Sequence, residues 1–241
     1  MANRGKLRVG TSGWHYDHWR RVFYPEDLVK ERWFEHYSNY FDTVEINNTF
    51  YHLPSEATFD AWHDQAPDGF CYSLKFSRYG TQMKKLKDPE STISNFMQRA
   101  QRLRSFLGPI LVQLPPRWKP NHDRLRAFLD AAPSEVRWAI EFRDAAWFSE
   151  EVYEILREHN AAMVIHDMIH DHPRELTSNW SYLRFHGGDY SHDYNQEQLT
   201  ATAGWIRREL DQGVDVYAYF NNDANGYAVT NARDLRHFVE A

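Results

Sequence analysis

Short runs of β-branched, aliphatic and aromatic residues recur along the chain, separated by stretches in which apolar positions return every three or four residues. The runs predict eight strands, at residues 7–12, 43–47, 70–76, 109–114, 137–142, 162–167, 181–186 and 215–221. The intervening stretches read as helices. Residues 28–41 carry Leu28, Trp33, Phe34, Tyr37 and Phe41, and residues 92–107 carry Ile93, Phe96, Met97, Ala100, Leu103 and Leu107. Residues 150–159 and 196–210 follow the same period, and 231–239 closes the chain. Strand and helix in alternation imply parallel strands joined by right-handed crossovers. Eight such units predict an α/β fold: a single (β/α)₈ TIM barrel with a closed, parallel, eight-stranded sheet. The stretch 168–179 holds Pro173 and has little helical period, so the crossover between strands 6 and 7 is expected to be short and irregular.

Within the strands a period of two sorts the side chains. Val44 and Ile46 oppose Glu45 and Asn47; Tyr72, Leu74 and Phe76 oppose Ser73 and Lys75; Ile110, Val112 and Leu114 oppose Gln113. Trp138, Ile140 and Phe142 oppose Glu141 and Arg143, while Tyr182, Arg184 and His186 alternate with Leu183 and Phe185. The sixth and eighth strands end on Asp167 and Asn221. The polar parity concentrates at the C-terminal end of the strands, where sites in this fold lie, so a polar pocket is expected there. Ion pairs that only brace the barrel, such as Glu45 with Lys75 or Glu141 with Arg184, are the bland alternative for any one residue. Burying the whole set without a use is the costlier reading.

Length and composition narrow the class. The chain has 241 residues, suited to one domain over 1–241, and 42% hydrophobic with 26% charged residues is an ordinary globular balance. A formal net charge of -6 disfavours a protein that coats nucleic acid, because phosphate neutralisation supplies most of that affinity. The lone cysteine, Cys71, excludes an internal disulfide and fits a reducing compartment. The N-terminal run Met1-Ala-Asn-Arg-Gly-Lys-Leu-Arg8 has no apolar signal core, and no run approaches the ~20 residues that span a bilayer, so a cytoplasmic protein without a membrane partner is expected. Aromatic residues reach 16%, and several fall in predicted loops: Trp14, Tyr16, Trp19, Phe50, Tyr51, Trp147, Tyr190 and Tyr194. Loop packing accounts for many of them; rings above polar groups also suit stacking on a sugar or nucleobase.

The segments Val9-Gly-Thr-Ser-Gly-Trp14, Val44-Glu-Ile-Asn-Asn-Thr-Phe-Tyr51, Gln113-Leu-Pro-Pro116, Glu141-Phe-Arg143 with Trp147, Arg184-Phe-His-Gly187 and Tyr219-Phe-Asn-Asn-Asp223 together resemble the motifs of the YecE-like family, a domain of unknown function numbered 72. The resemblance runs in order over nearly the whole chain. It implies a TIM barrel and no particular reaction. The chain has Thr81-Gln82 where the family often has Thr-His, and a glutamine cannot shuttle a proton near neutral pH.

The chemistry follows from the residue types. Glu141, Asp167, His186 and Glu45 are the candidate catalytic groups, with Glu141 or Asp167 as general base or metal ligand and His186 as proton carrier. Their oxygen- and nitrogen-rich set admits a divalent metal, whereas no nucleotide-cofactor motif is present: there is no G-x-G-x-x-G, no P-loop and no serine elbow. The cluster His166, Asp167, His170, Asp171 and His172 also suggests metal, but only Asp167 has inward parity. Lys75, Arg143 and Arg184 are candidate clamps for an anionic group, Asn47, Gln113 and Asn221 would orient the ligand, and Trp14, Tyr51, Trp147 and Tyr190 would stack on it. The expectation is a hydrolase-type enzyme acting on a small, polar, anionic sugar- or nucleotide-like substrate. Two rivals stand beside it: a nucleic-acid enzyme or binder related in fold to metal-dependent endonuclease barrels, and a non-catalytic metabolite-binding protein.

Overall fold

A computed structural model describes residues 4–241; Met1, Ala2 and Asn3, which open the N-terminal run read for a signal core, lie outside the described residues. The eight expected strands are present: β1 (Leu7–Thr11), β2 (Thr43–Ile46), β3 (Cys71–Lys75), β4 (Leu107–Gln113), β5 (Trp138–Glu141), β6 (Ala162–His166), β7 (Trp180–Phe185) and β8 (Asp215–Phe220). They form one sheet in the order β1-β8-β7-β6-β5-β4-β3-β2, with the recorded pairings parallel, and the fold is a (β/α)₈ barrel of the TIM type. The helices are α1 (Trp33–Ser38), α2 (Asn48–Tyr51), α3 (Glu56–Gln65), α4 (Pro89–Ala100), α5 (His122–Ala131), α6 (Glu150–Glu158), α7 (Gly187–Tyr190), α8 (Gln196–Asp211) and α9 (Tyr227–Glu240). The crossover from β6 to β7 is irregular and holds no helix among its described residues, as Pro173 and the missing period predict. No helix of the described residues is long and apolar enough to cross a membrane.

The differences from the sequence pattern have local causes. Residues 28–41 give only a 3₁₀ turn and the six-residue α1, because Trp33 is drawn flat against Tyr24, with ring centroids 4.5 Å apart and planes at 6°. The helix expected over 92–107 ends at Ala100; a 3₁₀ turn follows, interrupted at Arg104 by φ 51° and ψ -122°. Besides the four-residue α2 and α7, two helices have no counterpart in the periodicity, α3 and α5. Each buries only a narrow stripe, Phe59 and Trp62 in one and Leu125, Phe128 and Leu129 in the other. Their starting signals are capping side chains: Ser55 accepts from the Thr58 N–H and Asn121 from the Arg124 N–H.

The described chain condenses into two compact units. The first comprises, among the described residues, 4–45, 166–168 and 179–241. There β8 pairs with both β1 and β7, Leu7 opposite Val216 and Arg184 opposite Tyr219, and α8 and α9 pack over them through Ile206, Leu210, Ala232 and Leu235. Gly10 permits β1 to pass the chain at Thr43, where a Cβ would stand 2.3 Å from the carbonyl oxygen and 3.1 Å from the Tyr37 hydroxyl. The second unit comprises residues 46–165 and 169–178. Its β3, β4 and β5 pair in parallel, with a register shift between Tyr72 and Leu74 against β4, and with Ile110 opposite Trp138 and Gln113 opposite Glu141. The rings of Phe76, Phe96, Phe128 and Trp138 interlock at 5.0–6.1 Å edge-to-face beneath α4 and α5.

Two glycines give opposite expectations. Gly10→Ala forces a methyl group into backbone at Thr43 and should destabilise by about 1–3 kcal/mol. Gly204→Ala places its methyl group in open space within α8, 4.0 Å from the nearest atom of Arg208, and should stabilise by about 0.5–1 kcal/mol. Urea midpoints of the two variants against the parent chain check both signs.

Candidate functional site

At the C-terminal ends of β1, β2 and β7 the first unit gathers a continuous network of polar side chains. Glu45, at 0% exposure, accepts from the Ser12 hydroxyl at 2.6 Å and the Tyr182 hydroxyl at 2.6 Å. It also accepts from Arg184 Nη2 at 2.7 Å and Nε at 3.0 Å. Arg184 is itself 1% exposed, so the pair is desolvated on both sides. Burial pushes the Glu45 carboxyl up, but the Arg184 charge and the hydrogen bonds outweigh burial and hold it below the usual carboxylate range. The same burial, reinforced by Glu45, keeps the Tyr182 phenol far above its ordinary value, so it remains a donor.

The network continues through His186. Arg184 Nη1 lies 3.1 Å from His186 Nε2, and His186 Nδ1 lies 3.2 Å from Asp167 Oδ1. A guanidinium can only donate, so Nε2 must accept and the imidazole is the neutral Nδ1–H tautomer, donating to Asp167. Asp167 also receives the backbone N–H of His186 at 2.9 Å and of Gly187 at 3.0 Å, together with the Tyr194 hydroxyl. Burial pushes its carboxyl up; the hydrogen bonds from His186 and Tyr194 reverse this and hold it well below the carboxylate range.

These bonds fix a turn of unusual backbone. Gly187, Gly188 and Tyr190 take φ of 62°, 68° and 73°, the left-handed region that disfavours side chains. A Cβ on Gly187 would also meet the His192 carbonyl oxygen at 2.6 Å. Asn222, fully buried, ties the far side of the turn by donating to the His192 carbonyl at 2.8 Å and to Asn231 Oδ1 at 2.9 Å. The turn holds Tyr190 half-exposed at 40%, its ring 5.4 Å from that of His186.

Tyr190 walls an open cleft of about 640 Å³, lined also by His18, Val22, Ser191, Asp223, Ala224 and Asn225. These residues follow β1, β7 and β8, so the cleft lies at the C-terminal ends of those strands. His18 Nε2 is 2.8 Å from the Asp223 carbonyl oxygen and 3.5 Å from its Oδ2. Because a carbonyl only accepts, Nε2 carries the proton. Burial pushes the Asp223 carboxyl up, opposed by His18. Tyr16 sits below, donating to the Ser12 carbonyl at 2.6 Å, its phenol raised by burial and by the carboxylates of Asp223 and Glu45.

The site residues expected from sequence therefore divide. Glu45, Arg184, His186 and Asp167 come together as a hydrogen-bonded brace, in which Arg184 is paired with Glu45 and His186 lies between Arg184 and Asp167. Tyr190 lines the cleft. Trp14 packs edge-on to Phe34 at 5.4 Å, and Asn221 donates its backbone N–H to Phe185 at 2.7 Å. The cleft groups His18, Ser191, Asp223 and Asn225 were absent from the expected set, although Asp223 closes the motif Tyr219-Phe-Asn-Asn-Asp223 and was the available signal.

The second unit holds its own polar set. Glu141, at 0% exposure, accepts from Gln113 Nε2 at 2.7 Å and from Arg143 Nε. The Lys75 ammonium lies 4.3 Å from the centre of the Phe50 ring, and Gln82 Nε2 donates to the Gln113 carbonyl at 3.1 Å. Asn47 Oδ1 is buried without a hydrogen-bond partner, while Tyr51 is exposed. Trp147 is not a ligand-stacking ring. It is fully buried, stacked on Phe142 at 5.0 Å with Nε1 donating to the Trp118 carbonyl at 2.6 Å, because the loop folds it under instead of over the surface. Among the described residues no group of three or more His, Cys, Asp or Glu side chains comes together as a metal-binding set; His170 and Asp171, for instance, pair with each other in solvent at 2.7 Å.

The family model described as "Protein of unknown function DUF72" matches residues 8–241. The UPF0759 protein YunF of Bacillus subtilis (strain 168) is 25% identical over 273 residues, covering 97% of this chain and 95% of that protein. The UPF0759 protein YecE of Escherichia coli (strain K12) is 27% identical over 145 residues, 60% of this chain and 51% of that one. The crystal structure of a DUF72 family protein (TM1631) from Thermotoga maritima MSB8 superposes with a TM-score of 0.88 at 29% identity, covering 98% of this chain and 100% of that chain. A DUF72 family protein (EF0366) from Enterococcus faecalis V583 gives 0.79 at 18% identity, over 98% and 96%.

The brace predicts acid sensitivity. Glu45 and Asp167 are held below the ordinary carboxylate pKa of about 4, so the unfolded chain binds more protons as pH falls. Their stabilisation is complete above that value and is lost as pH drops through the folded values. Glu45→Gln, which leaves Arg184 buried against an uncharged partner, should lose about 3–5 kcal/mol at pH 7. Asp167→Asn should flatten the decline in stability between pH 5 and pH 3, as read from urea unfolding at each pH.

Proposed function

Given that this chain belongs to the DUF72 family, a family described as proteins of unknown function, we propose that it is a hydrolase-type enzyme acting on a small polar, sugar- or nucleotide-like substrate in the cleft beside Tyr190. The observation that carries this reading is the juxtaposition of two things at one end of the strands. A buried, fully satisfied charge network holds a strained turn, and that turn presents an aromatic wall to an open cleft containing a His–Asp pair.

Four physical arguments support it. Functional sites of (β/α)₈ barrels are built from the loops at the C-terminal ends of the strands, which is where the cleft lies. A volume of about 640 Å³ is within the range of small-molecule sites. Left-handed backbone at a non-glycine residue is retained where the surroundings over-determine it, commonly at ligand sites, and Tyr190 is such a residue. Hydrolysis needs groups that give and take protons next to the substrate, and His18 and Asp223 supply them without displacing the brace. On this reading Glu45, Arg184, His186 and Asp167 are positioning residues.

A panel of chromogenic glycosides, carboxylic esters and phosphoesters tests the proposal. Turnover of at least one class is expected, with kcat/KM lowered tenfold or more by Tyr190→Ala and with the variant's thermal melt unchanged. Absence of turnover across the panel, or turnover indifferent to Tyr190, Asp223 and His18 substitutions alike, would overturn it.

A further inference from the structure

The chemistry of the cleft also selects among polar ligands. Among the described residues, its lining brings the carboxylate of Asp223, the imidazole of His18 and the uncharged polar side chains of Ser191 and Asn225 to the same opening, with no lysine or arginine. Arg184, the nearest guanidinium of the brace to Tyr190 in sequence, is sealed beneath against Glu45. The Asp223 carboxylate is half-buried, and its near donors are its own backbone N–H and, at longer range, His18. His18 directs its Nε2–H to the Asp223 backbone carbonyl at 2.8 Å and reaches Oδ2 only at 3.5 Å. Tyr16 donates its hydroxyl to the Ser12 carbonyl instead. The titratable groups facing Asp223 are thus His18, from the turn after β1, Tyr16 from the same segment, and Tyr190 across the opening.

A partly desolvated carboxylate with acceptor capacity to spare is stabilised by hydroxyl groups and repels an anion. An exposed tyrosine ring offers the flat apolar surface on which the C–H face of a sugar ring rests. The geometry points to this cleft as a binding site for a neutral, hydroxyl-rich ring, a pyranose or furanose bearing adjacent hydroxyls, with Asp223 and His18 Nδ1 gripping the hydroxyls and Tyr190 stacking on the ring. The inference rests on the cleft being the substrate site and narrows its ligand class from polar to polar and neutral, against the anionic ligand expected from the sequence; it does not require turnover.

Isothermal titration and ligand-observed NMR with D-glucose, D-ribose, adenosine, glucose 6-phosphate and adenosine 5′-monophosphate test it on the full chain. At least one neutral probe should bind more tightly than its phosphorylated counterpart. Asp223→Asn, which keeps the shape but weakens the acceptor, should lower that affinity tenfold or more. His18→Gln should lower it severalfold, and Tyr190→Ala tenfold, with melting temperatures held near the parent value as evidence of folding. A phosphorylated probe binding tenfold more tightly than its neutral form overturns the inference, as does a neutral probe whose affinity is unchanged in Asp223→Asn. Failure of every neutral probe to bind the folded parent chain overturns it too. Binding of a neutral probe without turnover of any chromogenic substrate leaves this inference standing and removes the enzyme reading. Turnover with no neutral binding does the reverse.

Discussion

A carboxylate and a guanidinium removed from water together constrain everything around them. Glu45 and Arg184 are both essentially without solvent contact, and an unpaired charge in either place would cost several kcal/mol. Coulomb attraction alone does not repay such desolvation; further hydrogen bonds are required, and Ser12 and Tyr182 provide them. The pair therefore dictates the chemistry of positions on β1, β2 and β7 at once. A mutation at any of these points acts on the others, so the four side chains form one energetic unit.

The consequence reaches the surface through His186 and Asp167. Arg184 fixes the imidazole tautomer, the imidazole fixes one oxygen of Asp167, and Asp167 collects the backbone N–H groups of His186 and Gly187. That is how a turn with Gly187, Gly188 and Tyr190 in left-handed backbone is held in place. Strain of this kind persists only where surrounding bonds over-determine it. The charged residues thus lie beneath the turn, and the side chains that line the open cleft are those the turn and the neighbouring loops carry: Tyr190, Ser191, His18, Asp223 and Asn225.

The second unit repeats the principle on a smaller scale. Gln113 and Glu141 stand opposite one another in the register of β4 and β5, and the hydrogen bond between them joins the ends of two adjacent strands. Arg143 closes on the same carboxylate. Trp147 and Trp118 seal the loop after β5 from within, so the aromatic content of that loop serves packing.

The sequence by itself determined the barrel. Strand parity and alternation with helical stretches are local periodicities, and each of the eight strands falls within one or two residues of its expected position. Parity likewise identified Glu45, Arg184, His186 and Asp167 as polar residues near strand ends, and Gln113 with Glu141 as residues of one face. Tertiary structure alone decided what these groups do, because saturation of a carboxylate depends on how many donors converge on it from distant segments. Ser12, Tyr182 and Tyr194 reach their acceptors across 27 to 137 residues of chain, and no periodicity encodes such distances. The same holds for the aromatic residues: Trp147 and Tyr190 are both loop rings in sequence, and only the path of each loop buries one and leaves the other at the cleft.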